Sequence, residues 1–313
     1  MRSKFIQTVL GDIPSQEIKT TQMHEHIIIE NYSTRWGYES VLDDKQVAID
    51  ELKAYRELGG STIVELTPID SGRDPITLRE ISQSSGVHIV MGTSITLLSK
   101  NSIMQSSDVS DLAAWMVREL TEGVEETGIR AGIIGELGVG SPSPEFDKLS
   151  LSTQEVKLLR AAAKAYHATG ALISLDTHHG KLAMQKLAIL SKEKVPLERV
   201  IVGHLGDHRK LDDYLSIAKL GANLGFDHIG MTNYAPDAWR VEMLERLIDL
   251  GYVKQIVLSM DVHRRSSWKC MGGSGYDYLL REFVPMMLDR GIKEEDINTI
   301  LVENPRHLLP FET

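Results

Sequence analysis

What most limits the fold open to this chain is a repeated alternation between two kinds of stretch. Short apolar runs rich in β-branched residues take turns with longer amphipathic stretches, the pattern of repeated βα units and a parallel sheet. Strands are predicted at residues 18–23, 61–66, 88–93, 130–134, 171–175, 200–203, 222–226 and 255–259. Helices are predicted at 44–58, 111–127, 153–169, 182–192, 211–219, 240–249 and 276–290. Glycines stand where left-handed helix C-caps belong, at Gly59, Gly128, Gly170, Gly221, Gly251 and Gly291. Eight units without a leftover predict an α/β fold of the closed (β/α)₈ or TIM barrel type, one domain over residues 1–313. In such a barrel the functional residues collect at the C-terminal ends of the strands.

The residues at those ends are chemically alike. The first strand leads into Met23-His24-Glu25-His26, and alternation along an extended chain points His24 and His26 the same way, so both imidazoles reach one cation. Glu136 follows the fourth strand, Asp176 and His178 end the fifth, His204 ends the sixth and Asp261 the eighth. One Asp or His after a strand is ordinarily a helix cap or a loop hydrogen-bonder. Recurrence on several strands of one barrel points instead to a metal centre. Mixed imidazoles and carboxylates suit Zn²⁺, with Mn²⁺ as second choice. The donors are too many for one tetrahedral ion, so two divalent ions per chain are expected, bridged by Glu136 and a hydroxide. A divalent ion brings the pKa of water towards neutrality, which makes that hydroxide a nucleophile and leaves Asp261 beside it to accept its proton. The implied reaction class is metal-assisted hydrolysis.

Composition narrows the partners. A formal net charge of -10 argues against nucleic acid, which needs a basic stripe. The one cysteine, Cys270, excludes an internal disulfide and fits a reducing compartment, with the cytoplasm as the expected location. Residues 1–14 carry Arg2 and Lys4 but only a short apolar patch, and read as neither a signal peptide nor a membrane span.

These residues resemble the phosphotriesterase family of the amidohydrolase superfamily. The likeness runs from Phe5-Ile6-Gln7-Thr8-Val9 and the His24-Glu25-His26 signature, through residues 128–134, to Glu303-Asn304-Pro305. Ser259-Met260-Asp261-Val262-His263-Arg264-Arg265-Ser266 and Gly272-Gly273-Ser274-Gly275-Tyr276-Asp277-Tyr278 look most like the phosphotriesterase homology, or phosphotriesterase-related, branch. The resemblance implies an amidohydrolase-type barrel, usually a homodimer, with His24, His26 and Asp261 on a more buried metal and a strand-5 ligand and His204 on a more exposed one. It also implies a proton relay from Asp261 to His228 and on to Asp207, against the plainer alternative that Asp227 merely orients His228. The loop with Arg264, Arg265 and Tyr276, glycine-rich at residues 272–275, is expected to form a lid that binds substrate and offers a cation to an anionic one. His88, His167, His208, His263 and His307 match no ligand position and read as structural or exposed.

Two departures from the family pattern bear on function. Where phosphotriesterases and lactonases place a carboxylated lysine after strand 4, this chain has Ile134-Gly135-Glu136-Leu137-Gly138, the pattern of the homology branch. Glutamate is shorter, so the backbone must come closer, as Gly135 and Gly138 permit. The family's strand-5 histidine falls on Asp176 in an ungapped count, while His178 lies on the same strand face two residues on; both are carried as ligands. The expected activity is hydrolysis of a small ester, lactone or N-acyl amide, with phosphotriester hydrolysis weak or absent. Lactonase action on a sugar or phosphosugar lactone is one alternative, and a non-catalytic binding protein on a retained barrel is another.

Overall fold

The computed structural model describes residues 5–30, 37–97, 105–138, 150–177, 179–207 and 209–312. The chain begins with an antiparallel hairpin, β1 (Phe5–Thr8) and β2 (Gly11–Pro14). The parallel strands open with β3 (Thr20–Glu25), after which a short antiparallel pair intervenes, β4 (Ile29–Glu30) and β5 (Val41–Leu42). They resume with β6 (Gly60–Glu65), β7 (His88–Thr93), β8 (Ile133–Leu137), β9 (Ile173–Leu175), β10 (Val200–Val202), β11 (Asn223–Phe226) and β12 (Ile256–Leu258). Each parallel strand pairs with the next, from β3 round to β12. The seam between β12 and β3 is drawn together at its C-terminal end. There the His24 N–H donates to Ser259 Oγ at 2.9 Å and the Asp261 N–H to the His24 carbonyl at 3.2 Å. Eight parallel strands in sequence order, flanked by helices, make the (β/α)₈ barrel.

Alternation along the strands builds two apolar layers. Val64, Leu66, Val90, Ile133, Leu172, Ile201 and Val257 fill the barrel, while Ile63, Ile89, Ile134, Ile173, Val200 and Ile256 pack outward against the helices. Ile6 of the hairpin belongs to the inner layer, so the hairpin plugs the barrel's N-terminal end. The Val9 N–H donates to the Ile89 carbonyl at 2.9 Å, and the Gln7 side-chain amide spans the Leu120 and Ala131 carbonyls at 3.0 and 2.8 Å. With one end plugged, the other is free to carry chemistry.

The helices are α1 (Lys45–Glu57), α2 (Pro75–Ser85), α3 (Val109–Thr121), α4 (Thr153–Thr169), α5 (Ala183–Lys192), α6 (Leu211–Ala218) and α7 (Asp237–Asp249). Sequence pattern missed α2, whose apolar stripe is thinned by Ser82 and Ser85, although its end signals are strong. Asp74 accepts from the Ile76 and Thr77 N–H groups, proline opens the first turn, and Gly86 closes the helix at φ 70°. α3 stops short of the predicted residue 127 because Gly123, at φ 121°, turns the chain away and donates to the Arg118 carbonyl. Gly128 therefore sits in a loop, not at a helix end. The predicted helix at 276–290 is only partly α: a π turn at Leu279–Phe283 precedes Val284–Asp289. A second π turn, Thr299–Glu303, precedes Asn304–Leu308. In both cases a proline, Pro285 or Pro305, follows two residues later, and the wide turn removes the clash between its ring and the carbonyl four residues back. No helix among the described residues is long and apolar enough to cross a membrane.

Candidate metal centre and active site

The C-terminal rim brings the predicted donors together. β3 carries His24 near its end and leads into His26; β8 carries Glu136; Asp176 follows β9, His204 follows β10 and Asp261 follows β12. β8 runs from Ile133 to Leu137, three residues later than predicted, because the stretch before it is taken up by the hairpin. A Cβ on Gly132 would lie 2.5 Å from the Gln7 carbonyl oxygen. Glu136 is thus part of the strand and points from a rigid element. Gly135 and Gly138 both have positive φ, and a Cβ at Gly135 would meet the Ser174 carbonyl at 2.6 Å, so β8 packs tightly on β9 beside Glu136.

Several sets of close donors overlap here, and two consist wholly of predicted ligands. His24, His26 and Asp261 form one; Glu136, Asp176 and His204 form the other. His26 Nε2 lies 3.1 Å from Asp261 Oδ1 and 3.5 Å from Glu136 Oε1, while His24 Nε2 lies 3.0 Å from Glu136 Oε2. His204 Nε2 stands 3.7 Å from Asp176 Oδ1. His178 and His208 lie outside the described residues, so of the two strand-5 candidates Asp176 is the one seen in the cluster.

Each of the three imidazoles is anchored through Nδ1, leaving Nε2 for the shared space. His24 Nδ1 is 3.3 Å from Asp227 Oδ2, His204 Nδ1 is 3.1 Å from Asp227 Oδ1, and His26 Nδ1 is 3.0 Å from Thr67 Oγ1. This is how metal-binding histidines are ordinarily oriented. His24 Nε2 is buried against Glu136 Oε2 at 3.0 Å without an aligned hydrogen bond, and a cation between the two would satisfy both. On donor chemistry and on the convergence of His24 Nε2 with Glu136 and Asp261, the residues present fit divalent metal ions.

The comparison with known proteins settles the relationship. A model of the Phosphotriesterase family matches residues 4–309. The chain belongs to the phosphotriesterase family. Its relatives there include the phosphotriesterase homology protein of Escherichia coli, 33% identical, with the match covering 91% of this chain and 96% of that protein. The N-acetyltaurine hydrolase of Dictyostelium discoideum is 31% identical over 97% of each chain. Among solved structures, a lactonase from Listeria monocytogenes superposes with a TM-score of 0.91 at 28% identity, covering 99% of this chain and all of that one.

For this phosphotriesterase-family barrel, the predicted relay residues are also in contact. His228 Nε2 lies 3.1 Å from Asp261 Oδ2, and its Nδ1 lies 2.5 Å from Asp207 Oδ2. Asp227 does not orient His228; it serves His24 and His204 instead, and also accepts the His204 N–H at 2.8 Å. His263, read from the sequence as structural or exposed, approaches Asp261 Oδ2 at 3.2 Å. Two expected substrate contacts are structural. Arg265 pairs with Asp43 at 2.5 Å and lies over the Tyr38 and Trp268 rings. Tyr276 is fully buried, its hydroxyl donating to the His26 carbonyl at 2.5 Å. The loop is clasped further by Glu39 on Ser266 and Glu51 on Lys269. Arg264 lies near enough for its charge to act on Tyr234, whose ring stacks on His228 at 4.7 Å.

Sequence reasoning missed Asp227, Thr67, Glu25 and Arg240 as supports of the site. Glu25 is fully buried within the signature itself: Oε1 accepts Ser259 Oγ–H and the Met260 N–H, and Oε2 accepts the Val262 N–H. It therefore braces the turn that carries Asp261. Burial pushes Glu25 up to about 7, against the pull of these hydrogen bonds. Burial alone would also disfavour the imidazolium of His24, but Glu136 and Asp227 outweigh it and hold its pKa well above the usual value. His204 is raised to about 10 against burial, through Asp227 and Asp176. Asp261 goes the other way: burial opposes ionisation, but His263, His228 and His26 keep it well below the usual carboxylate range. Carboxylates thus draw positive charge onto the His24 and His204 imidazoles.

Proposed function

We propose that this metal-dependent hydrolase cleaves the C–N bond of a small N-acylated amine bearing an anionic group, releasing a carboxylic acid and the amine. The observation that carries the reading is the two-sided placement of Asp261: Oδ1 faces the His24 and His26 imidazoles and Oδ2 faces His228. His24, His26 and Asp261 would hold one ion and Asp176 and His204 a second, with Glu136 available to either. Zn²⁺ is the first choice and Mn²⁺ the second. When bound, such ions supply acidified water and a polarised acyl oxygen.

The chain's own residues handle the proton. As water adds to the acyl carbon, Asp261 accepts the proton at Oδ2, and His228 Nε2 is within reach to take it onward. Asp207 faces the far ring nitrogen and stabilises the imidazolium that results, which returns the proton to the amine nitrogen as the C–N bond breaks. Arg264, whose charge acts on Tyr234 beside His228, is the residue we assign to the substrate's anionic group. The similarity to an N-acetyltaurine hydrolase supports the amide and the anion. Against a barrel emptied of chemistry speak the relatives named as hydrolases, with Asp176 Oδ1 at 3.7 Å from His204 Nε2 as a supporting placement.

A lactone is the second reading, favoured by the likeness to the Listeria lactonase, because a ring ester presents the same acyl carbon. A panel decides between them. Zn²⁺- and Mn²⁺-loaded protein is assayed on N-acetylated amino acids and aminosulfonates, sugar lactones and a phosphotriester. Turnover is expected on the amides, with little on the phosphotriester; turnover of lactones alone would replace the amide reading.

A further inference from the structure

We infer that Arg240 is a positioning residue for proton transfer, holding Asp207 and the His228 loop in register from a point that no substrate reaches. The inference rests on the reading of Asp261, His228 and Asp207 as a relay. Arg240 lies on α7 with no exposed surface. Its Nη2 donates to Asp207 Oδ1 at 2.7 Å and to the Met231 carbonyl at 3.2 Å. Its Nη1 donates to Asp237 Oδ1 and to the Ala235 carbonyl, both at 2.7 Å.

These contacts tie the two halves of one hydrogen bond together. The Met231 N–H donates to the His228 carbonyl at 3.1 Å, and the Gly230 N–H to Asp237 Oδ1 at 3.1 Å, so the loop leaving His228 wraps round the guanidinium. Asp207 comes from a different loop, after β10, and is held by the same group. The rigid fork of arginine delivers several N–H groups in a fixed plane, which a lysine cannot reproduce. Competition makes the fork matter. The half-exposed His179 also reaches Asp207 Oδ2, at 2.7 Å, and an untethered Asp207 is free to turn towards it and away from His228.

The test compares Arg240→Gln, Asp207→Asn and their combination, using the best substrate from the panel. Arg240→Gln is expected to lower kcat by about 10²-fold, as for a small misplacement of a reacting group, with KM nearly unchanged. The double variant should be no slower than Asp207→Asn alone, because Arg240 acts through Asp207. Losses that multiply, or an unimpaired Arg240→Gln, would overturn the inference. A second readout needs no substrate: in protein with ¹⁵N-labelled histidine, the deshielded Nδ1–H resonance of His228 should vanish in Asp207→Asn and in Arg240→Gln. Its persistence in Arg240→Gln would overturn the inference whatever the activity. Should Arg240→Gln fail to fold, Arg240→Lys is measured by the same resonance, whose loss supports the positioning role and whose persistence overturns it. If no panel compound turns over, the functional reading falls while the resonance still decides the role of Arg240.

Discussion

His204 and Asp261 hold left-handed backbones at φ 59° and 52°, a conformation that costs a residue other than glycine roughly 1–3 kcal/mol. Each is held there by a carboxylate: Asp227 takes the His204 N–H, and Glu25 takes the N–H groups on either side of Asp261. Asp261 is the base in this mechanism, so Asp261→Asn should lower kcat by about 10²–10⁴-fold in steady-state assays with metal supplied, and near-normal turnover would refute the assignment. Asp207 makes a separate prediction about pH. Burial opposes its ionisation, but His179, His228 and Arg240 hold its pKa below the ordinary value. A carboxyl group lowered on folding adds stability above its unfolded pKa, and loses it as pH falls through that value towards the folded one. Wild-type protein stripped of metal should therefore exceed Asp207→Asn by about 2 kcal/mol at pH 7, an advantage that shrinks from near pH 4 downwards. Melting curves of both proteins across that range check it; a constant gap would mean the carboxylate's charge is not what stabilises.

Among the elements, the strands fix the donors and the loops behind them fix the angles. Glu136 points from β8 itself, and Glu25 on β3 reaches across the barrel seam to the turn after β12. Glu25→Gln would set an amide N–H₂ against one of the donors that Glu25 now accepts. It should cost about 1–3 kcal/mol, the penalty of a buried donor left unmade, and weaken metal retention by His24, His26 and Asp261. Thermal melting and dialysis against a weak chelator measure the two effects; a drop in melting temperature with metal affinity intact would confine Glu25 to the fold. The substrate loop offers a contrast. Its glycines suggested a mobile lid, yet Arg265 on Asp43 and Lys269 on Asp277 fasten it, which composition could not show because each pairing is a matter of tertiary approach.

Over the whole molecule, local pattern accounts for the barrel: the predicted strands fall within about three residues of those observed, because burial on both faces leaves long β-branched runs that spacing reveals. The donors were legible because their chemistry recurs at strand ends. Asp227, Thr67 and Arg240 were not, because an aspartate, threonine or arginine near a strand or helix end has many ordinary uses and its partner here lies far along the chain. The hairpin plug was hidden for the same reason, and its contact with Gly132 is what moved β8 towards Glu136. The central claim, that donors distant in sequence converge to hold a pair of cations, is tested most directly by anomalous diffraction from crystals grown with Zn²⁺. Two peaks per chain are predicted, one among His24, His26 and Asp261 and one between Asp176 and His204, with Glu136 contacting both. A rim with no peak, or a lone ion that Glu136 does not touch, would contradict it.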